Sequence, residues 1–227
     1  MAWETIWNNL DLYLQGLWTT VWLVALSLLI GLALALPLAV ARASKNLLWS
    51  APVNVYTYVF RGTPLLVQLF LIYYGLGQFE AIRESSLWPL LREAWFCALL
   101  AFALNTAAYT TEIIAGAIKA TPRGEVEAAI ASGMPPWQRL QRIILPSAFR
   151  RALPAYGNEI IFMLHGSAVA SVITIVDLTG AARIVNSRFY TPYEAFLTAA
   201  AFYLVLTFTI VAGIRLAERR LLAHLRR

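Results

Sequence analysis

Residues 17–41 read "LWTTVWLVALSLLIGLALALPLAVA", twenty-five consecutive positions without a charged side chain. A hydrocarbon layer about 30 Å thick is crossed by roughly 20 apolar helical residues, so this run is long enough to span it. Inside lipid the backbone N–H and C=O groups must find partners within the segment, and an α-helix provides them. Ala41-Arg42-Ala43 imitates the cleavage site of a secretory signal. Such a signal has a shorter apolar core and a basic flank before it, whereas the flank here holds Glu4 and Asp11 and no Lys or Arg. The run is read as a retained spanning helix.

Four more apolar stretches follow. Residues 52–76 are interrupted by Arg61-Gly62-Thr63-Pro64. Residues 94–118 carry Glu112 near their far end. Residues 158–177 are short and hold His165, Gly166, Ser167 and Ser171, and residues 195–214 are unbroken. The expectation is an all-α membrane protein of five transmembrane helices, one domain over residues 1–227. Only 13% of the chain is charged, about half the share of a soluble domain. Thirteen of the 18 basic residues fall in 42–50, in 117–157 and beyond 214, and none in 1–16. The excess of Lys and Arg marks the cytoplasmic side. That places the N-terminus outside, with the central connection and the C-terminus in the cytoplasm. The net charge of +6 therefore reflects sidedness and gives no reason to expect nucleic acid. The single Cys97 excludes an internal disulfide, and His165 and His224 lie too far apart to suggest a metal pair. No catalytic constellation and no metal site is expected.

The central connection, residues 121–146, is polar and sharply broken. Thr121-Pro122 reads as an N-cap followed by proline at the first helical position. Gly133 is placed to end that helix, and Pro135-Pro136 blocks its continuation. A second short helix over 137–145 is expected to stop at Pro146. Such a bent pair could be a plain solvated loop or a DNA-reading helix pair. The second reading is opposed by Glu125 and Glu127, which would face phosphate. The third reading is a docking knob, where the small Ala128, Ala129 and Ala131 let another protein's groove close over the backbone.

Glu127-Ala128-Ala129, three residues, Gly133, nine residues, Ile143, one residue and Leu145-Pro146 stand in that order. This resembles the cytoplasmic signature of the permease subunits of bacterial ABC importers. "RGTPLLVQLFLIYYGLGQF", "LNTAAYTTEIIAGAIKA", "LPAYGNEIIFMLH" and "VDLTGAARIVNSRFY" resemble the polar amino acid subfamily. They point in particular to the M subunits of histidine/lysine/arginine/ornithine and opine permeases. The resemblance implies the type I importer permease fold in the bacterial inner membrane. It implies that Glu127, Ala128, Ala129, Gly133, Ile143, Leu145 and Pro146 form a coupling loop seated in an ATPase subunit. It further implies a homologous permease subunit or a second copy of this chain, two ATPase subunits, and a periplasmic or lipid-anchored binding protein. ATP and Mg would be bound by the ATPase. The chain itself has no Gly-Lys pair, hence no P-loop, and is expected to be a transport subunit rather than an enzyme.

An ionisable group at the centre of a spanning helix costs roughly 2.5–3.5 kcal/mol, which makes each one a functional candidate. The candidates for the substrate path are Asn105 and Tyr109, which share a helix face with Glu112, and Asn158 and His165, seven residues apart. Glu159 and Ser167 complete the set. Asn105 and Tyr109 could equally bond across helices. Glu159 is expected near the cytoplasmic edge of its span, with Arg150 or Arg151 as competing partner. Glu112 and Asp177 are expected at hydrated span ends, and Arg61 beside a carboxylate or a helix C-terminus. A rival reading, a transporter or channel subunit driven by an ion gradient, would explain the acids but leave the loop without a role.

Overall fold

The computed structural model describes residues 2–221. Arg226 and Arg227, on which part of the orientation argument rests, and His224 lie outside the described residues. Twelve α-helices follow in order. A short α1 (Ala2–Asn8) precedes α2 (Leu10–Ala43) and α3 (Leu47–Gly62). Next come α4 (Leu65–Phe70), α5 (Glu80–Arg83), α6 (Trp88–Leu91) and α7 (Ala94–Lys119). Then α8 (Arg123–Ala131) and α9 (Pro136–Arg139) form the central connection, and α10 (Leu145–Gly166), α11 (Leu178–Phe189) and α12 (Pro192–Leu221) are the last of the described helices.

Helices α2, α7 and α12 contain the first, third and fifth predicted spans, and each is long and apolar enough to cross a membrane alone. The second and fourth are not straight rods. α3 and the segment from α4 through Gln78 meet at 104°, and the continuous helical run Pro136–Ile173, which contains α10, meets α11 at 46°. Five crossings result if each bent pair counts as one. Proline explains the first bend. Pro64 cannot extend α3, and it drives Thr63 into an extended conformation (φ −116°, ψ 144°). At the second bend Thr174 adopts a left-handed conformation (φ 73°) after the 3-10 turn.

The bundle is held by a smooth seam between α2 and α7. Ser27, Gly31, Ala35 and Ala39, four residues apart, are buried along one face of α2. A Cβ on Gly31 would run into Thr106 Cγ2 and stand 3.2 Å from the Ala103 carbonyl oxygen. In lipid, where apolar contact with the solvent is as good as with a neighbour, such small residues permit the close packing that drives association. Leu23, Leu69, Phe102, Leu164 and Ile173 form the core beside this seam, joining α2, α4, α7 and α10. At one end Tyr13, Leu178, Val185 and Ala195 pack together, with the Tyr13 hydroxyl donating to the Ala195 carbonyl at 3.1 Å.

The central connection differs from the sequence expectation in two places. Thr121 does not cap α8; its hydroxyl turns back to the Ile118 carbonyl at 2.8 Å, and Pro122 occupies the cap position. Nor does Pro146 stop a helix. It lies inside a helical run that continues from Pro136, and the widened π turn at Leu140–Ile144 just before it accommodates the missing N–H. The expected ending of the first short helix is found. Gly133 (φ 75°) donates to the Ile130 carbonyl and Met134 to that of Ala129, at 2.9 and 3.0 Å, a Schellman closure.

Candidate functional site

Breaking a helix at membrane depth strips the last carbonyls of α3 of their normal donors. Three side chains restore them. Gln68 Nε2 donates to the carbonyls of Phe60 (2.7 Å) and Thr63 (3.0 Å). Asn105 Nδ2 donates to Gln68 Oε1 at 3.0 Å and reaches the Phe60 carbonyl at 3.4 Å. The Tyr109 hydroxyl donates to the Arg61 carbonyl at 3.3 Å. Irregular backbone is tolerated within a membrane only where protein or a wet cavity supplies such partners. Here both are present, because a cavity of about 540 Å³ opens against the break. That volume lies in the range of small-molecule sites.

The cavity is lined by Arg61–Leu65 from the break, Asn105 and Tyr109 from α7, and Glu159, Phe162, Met163 and Gly166 from α10. The Arg61 guanidinium stands over the Tyr109 ring, 5.4 Å from its centroid. Arg61 sits in the last turn of α3, where a cation suits the helix dipole, and among the described residues no carboxylate lies within ion-pair distance of it. Glu159 is buried, and its Oε1 accepts a hydrogen bond from Thr106 at 2.8 Å. One wall thus offers a cation and an aromatic face, another a carboxylate, with apolar surface between.

Of the substrate-path candidates, Asn105, Tyr109 and Glu159 are brought together. Asn158 is exposed on another face of α10. His165 is also exposed, with Nε2 3.1 Å from Thr207 Oγ1 on α12. Ser167 is buried and donates to the Leu164 carbonyl of its own helix. Glu159 does not sit at the start of its helix, as the expected span had it. Because α10 begins at Leu145, Glu159 stands about 21 Å along it, opposite Thr106 near the middle of α7. Arg151 does not pair with it, being bound to Ser147, Thr121 and the Ala117 carbonyl. Glu112, partly exposed, joins three helices, accepting from Arg42 Nε at 2.6 Å and Thr57 Oγ1 at 2.7 Å. Asp177 is buried as the N-cap of α11, with Oδ1 accepting from Gly180 N–H at 2.7 Å. Gln68 and Thr106 went unnoticed in the sequence. For Gln68 a signal existed, a lone amide within "LLVQLFLI" four residues after a proline.

On the central connection, Glu127, Ala128 and Gly133 are exposed, Ala129 is buried, and Ile143, Leu145 and Pro146 are half-buried. Beside them Ile130 and Trp137 expose 54% and 65% of their surface, an apolar patch on a segment outside the spanning helices. No group of three or more His, Cys, Asp or Glu side chains placed to hold a metal occurs among the described residues.

Residues 27–223 match the family model of the binding-protein-dependent transport system inner membrane component. The nopaline transport system permease protein NocM of Agrobacterium fabrum is 49% identical over 209 residues, covering 92% of this chain and 87% of NocM. The histidine/lysine/arginine/ornithine transport system permease protein HisM of Escherichia coli K12 is 46% identical, with 93% and 89% covered. Among solved structures, an amino acid ABC transporter crystallised with histidines superposes with a TM-score of 0.85 at 37% identity, covering 96% of this chain and 97% of that one. The MetNI methionine ABC transporter, at 18% identity and a TM-score of 0.77 over 92% and 96%, shares the fold. The match covers most of the chain, the bent spans and the central connection together: the protein belongs to the binding-protein-dependent inner membrane transport components, as a multi-pass permease subunit of an ABC importer.

Proposed function

We propose that this subunit lets polar amino acids, above all basic ones, cross the membrane through the cavity at the α3–α4 break. The observation that carries the reading is that Arg61 and buried Glu159 face the same cavity. An amino acid brings both charges. Its carboxylate suits the planar guanidinium of Arg61, and an ammonium or basic side chain suits Glu159. A lone cation in a low-dielectric space is expensive, so a fixed carboxylate lowers the cost of its passage. Relatives named for transport of histidine, lysine, arginine and ornithine, and of nopaline and octopine, support the same substrate class.

The subunit works beside a homologous permease subunit or a second copy, with two ATPase subunits that bind ATP and Mg and a binding protein that delivers substrate. The N-terminus faces outward, and α8 lies in the cytoplasm, seated in the ATPase through the exposed Glu127, Ala128, Ile130 and Trp137. ATP-driven closure of the ATPase pair moves α8, and with it the helices that line the cavity.

The test is ATP hydrolysis by the reconstituted complex, with its binding protein, across the twenty amino acids, ornithine and opines. Stimulation by arginine, lysine, histidine, ornithine or an opine is expected. Stimulation by acidic amino acids alone, or by none, overturns the assignment.

A further inference from the structure

The coupling helix α8 is short and is joined to α7 by only three residues, so what ties it to the bundle decides where its motion goes. On the inner side of the central connection the ties converge on one side chain. Glu125 of α8 accepts from Ser147 Oγ at 2.9 Å. Ser147 in turn accepts from Arg151 Nη1 at 2.6 Å. Arg151 Nη2 donates to Thr121 Oγ1 at 2.8 Å and to the Ala117 carbonyl at 3.2 Å. A single guanidinium thereby joins α10 to the last turn of α7 and, through Ser147, to α8. Ala117 holds one of the four terminal carbonyls of α7 that lack an intrahelical donor, so the contact also satisfies the helix end and complements its dipole.

The same two helices meet again deeper in the membrane, where Thr106 of α7 donates to Glu159 of α10. Glu159 stands eight residues from Arg151, about 12 Å along α10, and Thr106 eleven residues from Ala117, about 16 Å along α7. With α7 and α10 pinned at Arg151, a push on α8 through Glu125 and Ser147 turns α10 about that pin. The turn appears 12 Å away as a change at the Thr106–Glu159 contact, which borders the cavity.

Building on the reading of α8 as the coupling helix, we propose that Arg151 is a positioning residue. It is the pivot that converts ATPase-driven displacement of α8 into movement of Glu159 against Thr106. It lies outside the substrate cavity, lining instead a groove between α8 and α10. Removing it should disconnect transport from ATP hydrolysis without releasing the ATPase.

The experiment measures uptake and ATP hydrolysis on the same proteoliposomes of the whole complex, expressed as substrate moved per ATP. In Arg151→Gln the ATPase should co-purify at the normal ratio and hydrolysis should persist, while transport per ATP falls about tenfold or more. Arg151→Lys keeps the charge and can reach the Ala117 carbonyl, but cannot also span to Ser147 and Thr121; it should recover part of the loss. Thr121→Val and Ser147→Ala, each removing one arm, should lower the ratio two- to fivefold. These milder variants carry the test should Arg151→Gln fail to assemble. An unchanged ratio in all four, with the ATPase bound, overturns the pivot while leaving α8 as the docking helix. Parallel loss of bound ATPase and uptake in the milder variants also overturns it, since Arg151 would then hold the docking site itself. Failure of the unaltered complex to bring down an ATPase would remove the coupling-helix reading on which the pivot rests.

Discussion

The central connection and the membrane cavity are built by opposite means. The connection draws its shape from neighbours in sequence: a proline before α8, a glycine with positive φ after it, and two carbonyls answered by the next two N–H groups. The cavity draws its shape from residues 37 to 53 positions apart, Asn105 against Gln68 and Thr106 against Glu159. A local device fails when one backbone dihedral is lost. A distributed one degrades by degrees as single partners go. Substitutions in the two regions should therefore differ in steepness, and that difference can be tested.

The largest effect is expected at Gly133. A side chain there must adopt a left-handed backbone, at about 1–2 kcal/mol, and a bulky one also stands where a partner would close over the exposed turn. Gly133→Trp should abolish uptake while the subunit remains inserted in the membrane. Normal uptake by a well-expressed mutant would mean that the connection has no part in coupling. Next comes Glu159→Gln, which keeps the size and the bond from Thr106 but removes the charge. A charge-assisted contact contributes about 1.5–3 kcal/mol, so arginine or lysine uptake should fall roughly ten- to a hundredfold, and uptake of neutral histidine much less. Equal losses for all three would reduce Glu159 to a structural partner of Thr106.

Gln68→Leu should act more gently and on stability. It leaves the Thr63 carbonyl without its side-chain donor and the Phe60 carbonyl with only the long contact from Asn105, a buried carbonyl left unpaired being worth about 1–3 kcal/mol. Melting of the detergent-solubilised subunit should move down by several degrees, and an unchanged melting curve would show that the break is held by something else. The smallest effect is expected from two labelling variants on exposed serines. Ser86→Cys should react with a membrane-impermeant maleimide from outside, and Ser132→Cys only after permeabilisation, without loss of uptake. The native Cys97 is buried and gives a silent background. The reverse pattern would invert the topology.

How much of this the sequence disclosed follows the same division. The straight spans were legible because uninterrupted apolar length has one solution in lipid. Gly133 was legible because its chemistry acts within three residues. Pro146 misled, since the π turn ahead of it takes up the missing N–H and the helix runs on. The fourth span is read from residue 158 because the apolar run begins there, whereas α10 begins at Leu145 and carries Glu159 farther along the helix. Asn158 and His165 share a face of α10, as their spacing requires, but spacing cannot say which neighbour that face meets. Gln68 and Thr106 act only through partners on other helices, and nothing in their immediate sequence names those partners.

Gly31 carries a consequence for specificity. It does not line the cavity, yet the space left by its missing side chain is filled by the methyl group of Thr106, whose hydroxyl holds Glu159. The outer helix α2 thus acts as a template that sets the rotamer of Thr106 and, through it, the aim of the cavity's negative charge. A genetic selection for altered substrate preference should yield hits at position 31, which does not line the cavity, and Gly31→Ala should change the discrimination between charged and neutral cargo as well as loosen the α2–α7 seam.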